Sequence, residues 1–331
     1  AFAAASTANS LGLVLQDLGR FAESESVLVR ALSISRRSRG PEDEASLQIA
    51  ATLARTLQLQ NRMDEAESLF VATVDASRRL HGPDGELTLS TSNNLAILYS
   101  SQGRWDDAEP LFLDLLERHR RVRGAEHPTT LSVTSNLGLL YRSTGRAEKA
   151  APLYTATLAA QRRLLGDEHQ ATLASINNLA LVYQELGRYD DAEKLSREAL
   201  EIQRRTRGED HPHTIIATGN LGDLLSQAGR PAEGEPLLRR AAESARRVLP
   251  SGHAITGATL RKHGVCLAAM GQRAEAERVL RESCATLEAG MGADHPRTRR
   301  AAADLAELLE SGGRSAEARA WRAKSGGDAA G

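Results

Sequence analysis

The feature that most limits what this chain can become is a dipeptide that returns every 42 residues. Gly19-Arg20, Asn61-Arg62, Gly103-Arg104, Gly145-Arg146, Gly187-Arg188, Gly229-Arg230, Gly271-Gln272 and Gly313-Arg314 stand in strict register, with no insertion between them. Eight copies therefore fill the 331 residues. Upstream of each turn runs an apolar stripe at helical spacing, such as Leu173, Ile176, Leu179, Ala180 and Tyr183. Downstream runs another, such as Ala192, Leu195, Ala199, Leu200 and Ile202. A helix, a tight turn and a helix cannot bury such stripes alone, but stacked copies bury them against one another. The expectation is an all-α fold of eight antiparallel helix pairs over residues 1–324, with residues 325–331 as a short flexible tail.

Aligned copies show what the packing needs. Leu fills one column at Leu11, Leu53, Leu95, Leu137, Leu179, Leu221 and Leu305, and the next residue is always small: Gly12, Ala54, Ala96, Gly138, Ala180, Gly222, Gly264, Ala306. The small residue lets two helix backbones approach, while its large neighbour fills the space beside them. Tyr99, Tyr141 and Tyr183 follow three residues later. In the second helix Ala66, Ala108, Ala150, Ala192, Ala276 and Ala318 mark the matching approach, with Phe70, Phe112 or Tyr154 one turn on.

This order of Leu-Gly/Ala, Tyr, Gly, Ala and aromatic resembles the tetratricopeptide repeat. The period of 42 and the wording "NNLAxLYxxxGRxxxAExL" are similar to the long form found in kinesin light chains and many bacterial repeat proteins. The resemblance covers essentially the whole chain. It implies a right-handed superhelical solenoid in which the first helices line a concave groove.

Each second helix ends in a basic pair and a turn, as in "RRVRGAEHPTT" and "RRTRGEDHPHT". Gly82, Gly124, Gly166, Gly208 and Gly292 suit a left-handed helix stop. Pro128, Pro212 and Pro296 suit the first turn of the next helix, where no amide proton is needed. Pro110, Pro152 and Pro236 fall early in second helices and should tighten their starts without breaking them. His127, His169, His211, His253 and His295 repeat with the same period, which invites a metal reading. Neighbouring copies lie roughly 10 Å apart, whereas ligands to one zinc lie about 2 Å from it, so a cap or turn role is expected. Arg36-Arg37, Arg78-Arg79, Arg120-Arg121, Arg162-Arg163, Arg204-Arg205 and Arg246-Arg247 suit the exposed carbonyls at helix C-termini. A phosphate-tracking edge is the alternative, opposed by nearby acids and by the lack of interleaved aromatics.

A formal net charge of −1 exerts no pull toward nucleic acid or anionic membrane. No apolar run approaches the ~18 residues that span a bilayer. Cys266 and Cys284 are too few for a disulfide framework, so a reduced, cytoplasmic setting and buried thiols are expected. His263 stands in the Leu column and marks an irregular copy. Phosphate-binding, zincin, nucleophile-elbow and paired-cysteine motifs are absent from the sequence, so neither an enzyme nor a cofactor is expected. The opening "AFAAASTANSLG" begins inside an amphipathic pattern and reads as the C-terminal part of a longer protein with a further N-terminal domain.

One column goes against helix propensity. Asn94, Asn136, Asn178 and Asn220 recur immediately before the Leu, with Asn93 and Asn177 preceding two of them, although Asn costs a few tenths of a kcal/mol against Ala inside a helix. The column lies beside the packed stripe, toward the face shared by all first helices. Its asparagines resemble those of kinesin light chains and related peptide clamps, whose amides bond a ligand's main chain. A carboxamide both donates and accepts, so a row of them can hold an extended peptide whatever its side chains. Beside the column lie Arg55, Arg142, Gln184, Glu185, Asp223, Gln227, Arg261, Lys262, Asp304 and Glu307, alternating in sign. The expected function is a non-catalytic scaffold for a protein or extended peptide, centred on copies three to six. The alternatives are asparagines that only fix helix stacking, and an array that is a structural spacer or self-assembly module of a larger signalling protein carrying a Ser/Thr kinase or STAND-type ATPase.

Overall fold

The computed structural model describes residues 2–325. Ser325 ends the last helix, and the remaining six residues of the expected tail lie outside the described residues. Sixteen α-helices and no strand occur among the described residues. The first helices of the copies are α1 (Phe2–Asp17), α3 (Glu44–Leu59), α5 (Glu86–Ser101), α7 (Pro128–Ser143), α9 (Gln170–Glu185), α11 (Pro212–Gln227), α13 (Ala254–Ala269) and α15 (Pro296–Ser311). The second helices are α2 (Phe21–Arg39), α4 (Met63–His81), α6 (Trp105–Arg123), α8 (Ala147–Leu165), α10 (Tyr189–Arg207), α12 (Pro231–Val248), α14 (Arg273–Met291) and α16 (Ser315–Ser325). The chain divides into two compact units after Thr157, inside α8.

In the first unit, Leu53 joins Leu28 and Leu32 of α2 and Phe70 and Val74 of α4 in one buried cluster. Leu95 and Leu137 are buried likewise, but Leu11 is 45% exposed, because among the described residues α1 has no earlier second helix against it. In the second unit Leu179, Leu221 and Leu305 are buried. The small column is filled from the second helix: a Cβ on Gly12 would lie 2.7 Å from Leu28, on Gly138 2.9 Å from the Tyr154 ring, and on Gly264 2.7 Å from Leu280. Among these helix pairs the backbones of copy six come closest, since a Cβ on Gly234 of α12 would fall 2.3 Å from the Gly222 carbonyl oxygen of α11.

The two kinds of turn differ. Within a copy, the turn residue has φ near +70°, from Asn61 at 63° to Gly229 at 80°. The next amide closes the helix end, as where Arg104 N–H donates to the Tyr99 carbonyl at 2.9 Å. Asn tolerates this left-handed region. Between copies the expected left-handed stop needs correction: Gly82, Gly124, Gly208 and Gly292 combine φ of 75–91° with ψ of 161–176°. That region is open essentially to Gly alone. Two turn residues then lead to an extended residue, such as His127 at φ −62°, ψ 140°, that starts the next helix. Copy six departs, ending α12 at Leu249 in the ordinary extended region and turning at Gly252. Pro128, Pro212 and Pro296 open their helices, whereas Pro110, Pro152 and Pro236 sit inside helices that continue unbroken.

Candidate functional site

The recurrent polar residues fall into those that hold the stack and those the stack leaves available. The histidines belong to the first group. Nδ1 of His127, His169, His211, His253 and His295 accepts the backbone N–H two residues on, at 3.1–3.3 Å, capping α7, α9, α11, α13 and α15. Asp43 performs the same task for α3. No group of three potential metal ligands occurs among the described residues.

The arginines also serve the stack, more directly than attraction to carbonyls requires. In four of the six pairs the second member reaches an acid 37 residues earlier: Arg79 meets Glu42 (2.6 Å), Arg121 meets Asp84 (2.6 Å), Arg205 meets Glu168 (2.7 Å) and Arg247 meets Asp210. The turn arginines repeat that offset, joining Arg62 to Glu25, Arg104 to Glu67, Arg146 to Glu109, Arg230 to Glu193 and Arg314 to Glu277. Arg104, Arg146 and Arg188 lie 4.1–4.7 Å from the ring centres of Tyr99, Tyr141 and Tyr183. Burial pushes the Tyr99 and Tyr141 phenols above their ordinary pKa, with Glu67 and Glu109 adding to the effect. A further ladder escaped the sequence reading. The buried hydroxyls of Thr88, Thr130, Thr172 and Thr298 donate to the carbonyl of the Gly stop six residues back, at 2.8–2.9 Å. Its signal was the 42-residue recurrence of Thr in "HPTT" and "HPHT".

The Asn column divides. Asn136 donates to Asn93 (3.3 Å), a bond between first helices of adjacent copies. Asn220 accepts from the Lys262 ammonium (2.5 Å). Asn94, Asn177 and Asn178 are half-buried, and no side-chain hydrogen bond forms to them among the described residues. Arg142 is half-buried one helical turn beyond Gly138. In the second unit, Gln184 donates to Gln227 (2.8 Å). Lys262 stands 3.7 Å from Asp223, and Arg261 stands 2.6 Å from Asp304, which also meets Arg300 at 3.3 Å. Burial draws the Lys262 pKa down, against the pull of Asp223. The charges that alternate in sequence thus neutralise one another in space.

Pockets open on these faces. In the first unit one of about 480 Å³ is bordered by Leu13, Gln16, Thr52, Arg55 and Asn94. Gln16, which sequence reasoning passed over, donates to the Thr52 carbonyl (3.0 Å) and the Thr56 hydroxyl (2.7 Å). In the second unit pockets of about 430 and 620 Å³ share Arg261 and Arg300. Cys266 and Cys284 are buried and free, and burial pushes the Cys284 thiol up to about 11, far from the range of a reactive thiolate. No helix among the described residues is long and apolar enough to cross a membrane.

No curated protein matches the sequence significantly. Among solved structures, the chain is similar to the nearly identical TPR-like repeats of a Podosopora anserina protein assigned as a kinesin light chain, with 26% identity over 61% of this chain and 96% of that one and a TM-score of 0.54. BtubC (BKLC) from P. vanneervenii shows 24% identity over 71% of this chain and 94% of that one, with a TM-score of 0.59. The apo quorum sensor NprR from B. thuringiensis shares the fold at 15% identity over 95% of this chain and 85% of that one, with a TM-score of 0.69. Six overlapping segments, 3–79, 46–117, 87–163, 135–202, 170–247 and 217–289, match the profile named tetratricopeptide repeat. With its turns, small-residue column and helix pairs in the same register, the chain belongs to the tetratricopeptide repeat family, an all-α scaffold for protein contacts.

Proposed function

We propose that the chain is a non-catalytic scaffold that holds an extended peptide or protein segment against its first helices, with the carboxamides of Asn94 in the first unit, and of Asn177 and Asn178 in the second, each available to bond a ligand's main chain. The observation that carries this reading is their lack of side-chain partners at half-buried positions where Asn weakens the helix. A group kept at a local cost with no internal bond is available to an outside one. Asn136 and Asn220, already bonded, position their neighbours instead. The test is the triple replacement of Asn94, Asn177 and Asn178 by Ala, followed by thermal unfolding and a peptide-array screen beside the parent protein. Stability should hold or rise slightly, while binding weakens by about 0.5–1.5 kcal/mol for each bond lost. A large fall in melting temperature with unchanged binding would mean that these asparagines serve the fold.

The second reading, a spacer or self-assembly module of a larger signalling protein, is favoured by the Asn136–Asn93 bond and by the arginine ladders, which stiffen the stack without needing a ligand. Under it the array screen finds no ligand for the parent protein either.

A further inference from the structure

The 430 Å³ pocket in the second unit differs in kind from the Asn column. Its walls come from α11, α13 and α15, with Leu287 of α14 at its base. Ile216, Ile255, Ala258 and Pro296 make most of its surface apolar. Gly219 lies on the α11 side, where a Cβ would make only ordinary contacts with Thr259 at 3.4 Å and Ala241 at 3.7 Å.

Four cations, Arg261, Lys262, Arg297 and Arg300, converge on this cavity, and no carboxylate lines it. The acids that balance part of that charge, Asp223 and Asp304, border the neighbouring 620 Å³ pocket instead. Lys262 donates to Asn220 and stands 3.7 Å from Asp223, which leaves part of its three-hydrogen donor capacity for a ligand, and its side chain is only 19% exposed. Arg297 has no carboxylate partner among the described residues. A small cavity with apolar walls and a few convergent polar groups is the usual form of a small-molecule site. Here the four cations outnumber the acids that reach them, Asp223 and Asp304, and the other polar side chains of the lining are Asn220 and Thr259.

We propose that this pocket binds a small organic anion: an apolar body, up to a two-ring aromatic or a medium-length acyl chain, carrying one carboxylate. The body rests on Ile216, Ile255 and Ala258. The carboxylate accepts from Lys262 and Arg297, whose charge is worth most where the walls exclude water. The site includes Asn220 of the Asn column but none of Asn94, Asn177 and Asn178, so the two readings stand or fall independently.

The experiment is isothermal titration of the full chain with naphthalene-2-carboxylate, beside the cationic analogue 2-naphthylmethylamine. One equivalent of the acid should bind, at least about tenfold more tightly than the amine. Ala258→Phe fills the cavity and should weaken binding by about tenfold or more. Arg297→Glu should also weaken it severalfold while leaving the fold intact, because an acid in the first turn of α15 suits the helix dipole. The triple Asn→Ala variant of the first reading should bind the acid normally. Unchanged unfolding temperatures confirm that the variants are folded. The proposal is overturned if the acid gives no heat up to millimolar concentration, or if the amine binds equally well. It is overturned equally if both pocket substitutions leave affinity unchanged, or if only an acidic peptide, and no free carboxylate, is held there.

Discussion

In copies two to four each turn arginine reaches back to a glutamate of the preceding copy: Arg62 to Glu25, Arg104 to Glu67, Arg146 to Glu109. In copy seven Gln272 stands at that place, and Glu235, the acid in the partner column, meets His263 instead at 3.1 Å. The Gly stops at Gly82 and Gly124 accept hydrogen bonds from Thr88 and Thr130, whereas copy seven follows the altered stop at Leu249 and its Thr256 hydroxyl is buried without a partner. On the first-helix face, a neutral bond between Asn136 and Asn93 contrasts with a buried ammonium held by Asn220. The helix pair survives both sets of contacts, since apolar columns and turns carry the architecture. Where the repeat's wording lapses, Glu235 turns to His263, the Thr256 hydroxyl is left unpaired, and the face gains charge.

The largest effect that would sharpen this contrast lies at the closest helix approach. Gly234→Ala places a methyl against the Gly222 backbone carbonyl, which cannot rotate away, and should destabilise by about 3 kcal/mol in urea unfolding. The matching change in copy four, Ala150→Gly, should cost only about 1 kcal/mol. Equal effects would erase the distinction between the copies. Next, Asn220→Ala should cost about 1–3 kcal/mol, because it strips the buried Lys262 of its hydrogen-bond partner. Asn178→Ala, judged by the same denaturation midpoint, should be neutral or stabilising by a few tenths of a kcal/mol.

A smaller difference should separate two threonines. Thr130→Val removes the hydroxyl bond to the Gly124 carbonyl and should lower stability by about 1 kcal/mol. Thr256→Val removes a buried, unpaired hydroxyl and should be neutral or stabilising. If both changes cost the same, the lapse in copy seven is filled by a contact of equal worth. The smallest effect is shared by both regions. Burial first, then Arg123, depresses the pKa of His119; burial, then Arg207, depresses that of His213. The folded state therefore favours the neutral rings. Their contribution is present above about pH 6.5, the unfolded value, and is lost as pH falls through the folded values. Melting temperatures between pH 7.5 and 5.5 should decline less for His119→Gln than for the parent.

The sequence made the architecture readable because helix packing repeats with the chain. The eight turns, the Leu and small-residue columns, the capping histidines and the buried cysteines each follow from local spacing. What it hid depends on a partner far along the chain or on a dihedral angle. Gly82 and Gly103 look alike in sequence, yet only the turn at Gly82 demands an extended ψ. Asn178 and Asn220 occupy one column, but Lys262, 42 residues after Asn220, decides that Asn220 is already bonded. The pocket of Arg297 and Arg300 was missed for a similar reason: it forms among three first helices, and the pocket in the same register of the first unit has Ala51, Thr52, Leu87 and Ser90 where this one has its four cations.

The offset of 37 residues between partners in the arginine ladders has a consequence for how such a chain can be edited. Every bridge joins a copy to its immediate neighbour and to nothing farther away. Excising one 42-residue period from copies two to four would put an arginine of one copy the same distance from an acid of another, whereas Ala151 and Gln272 interrupt the columns farther along. Duplicating a period would do the same. For the arginine ladder chain length is therefore adjustable in whole copies, whereas the loss of a single residue inside a copy would put out of step every bridge that spans it.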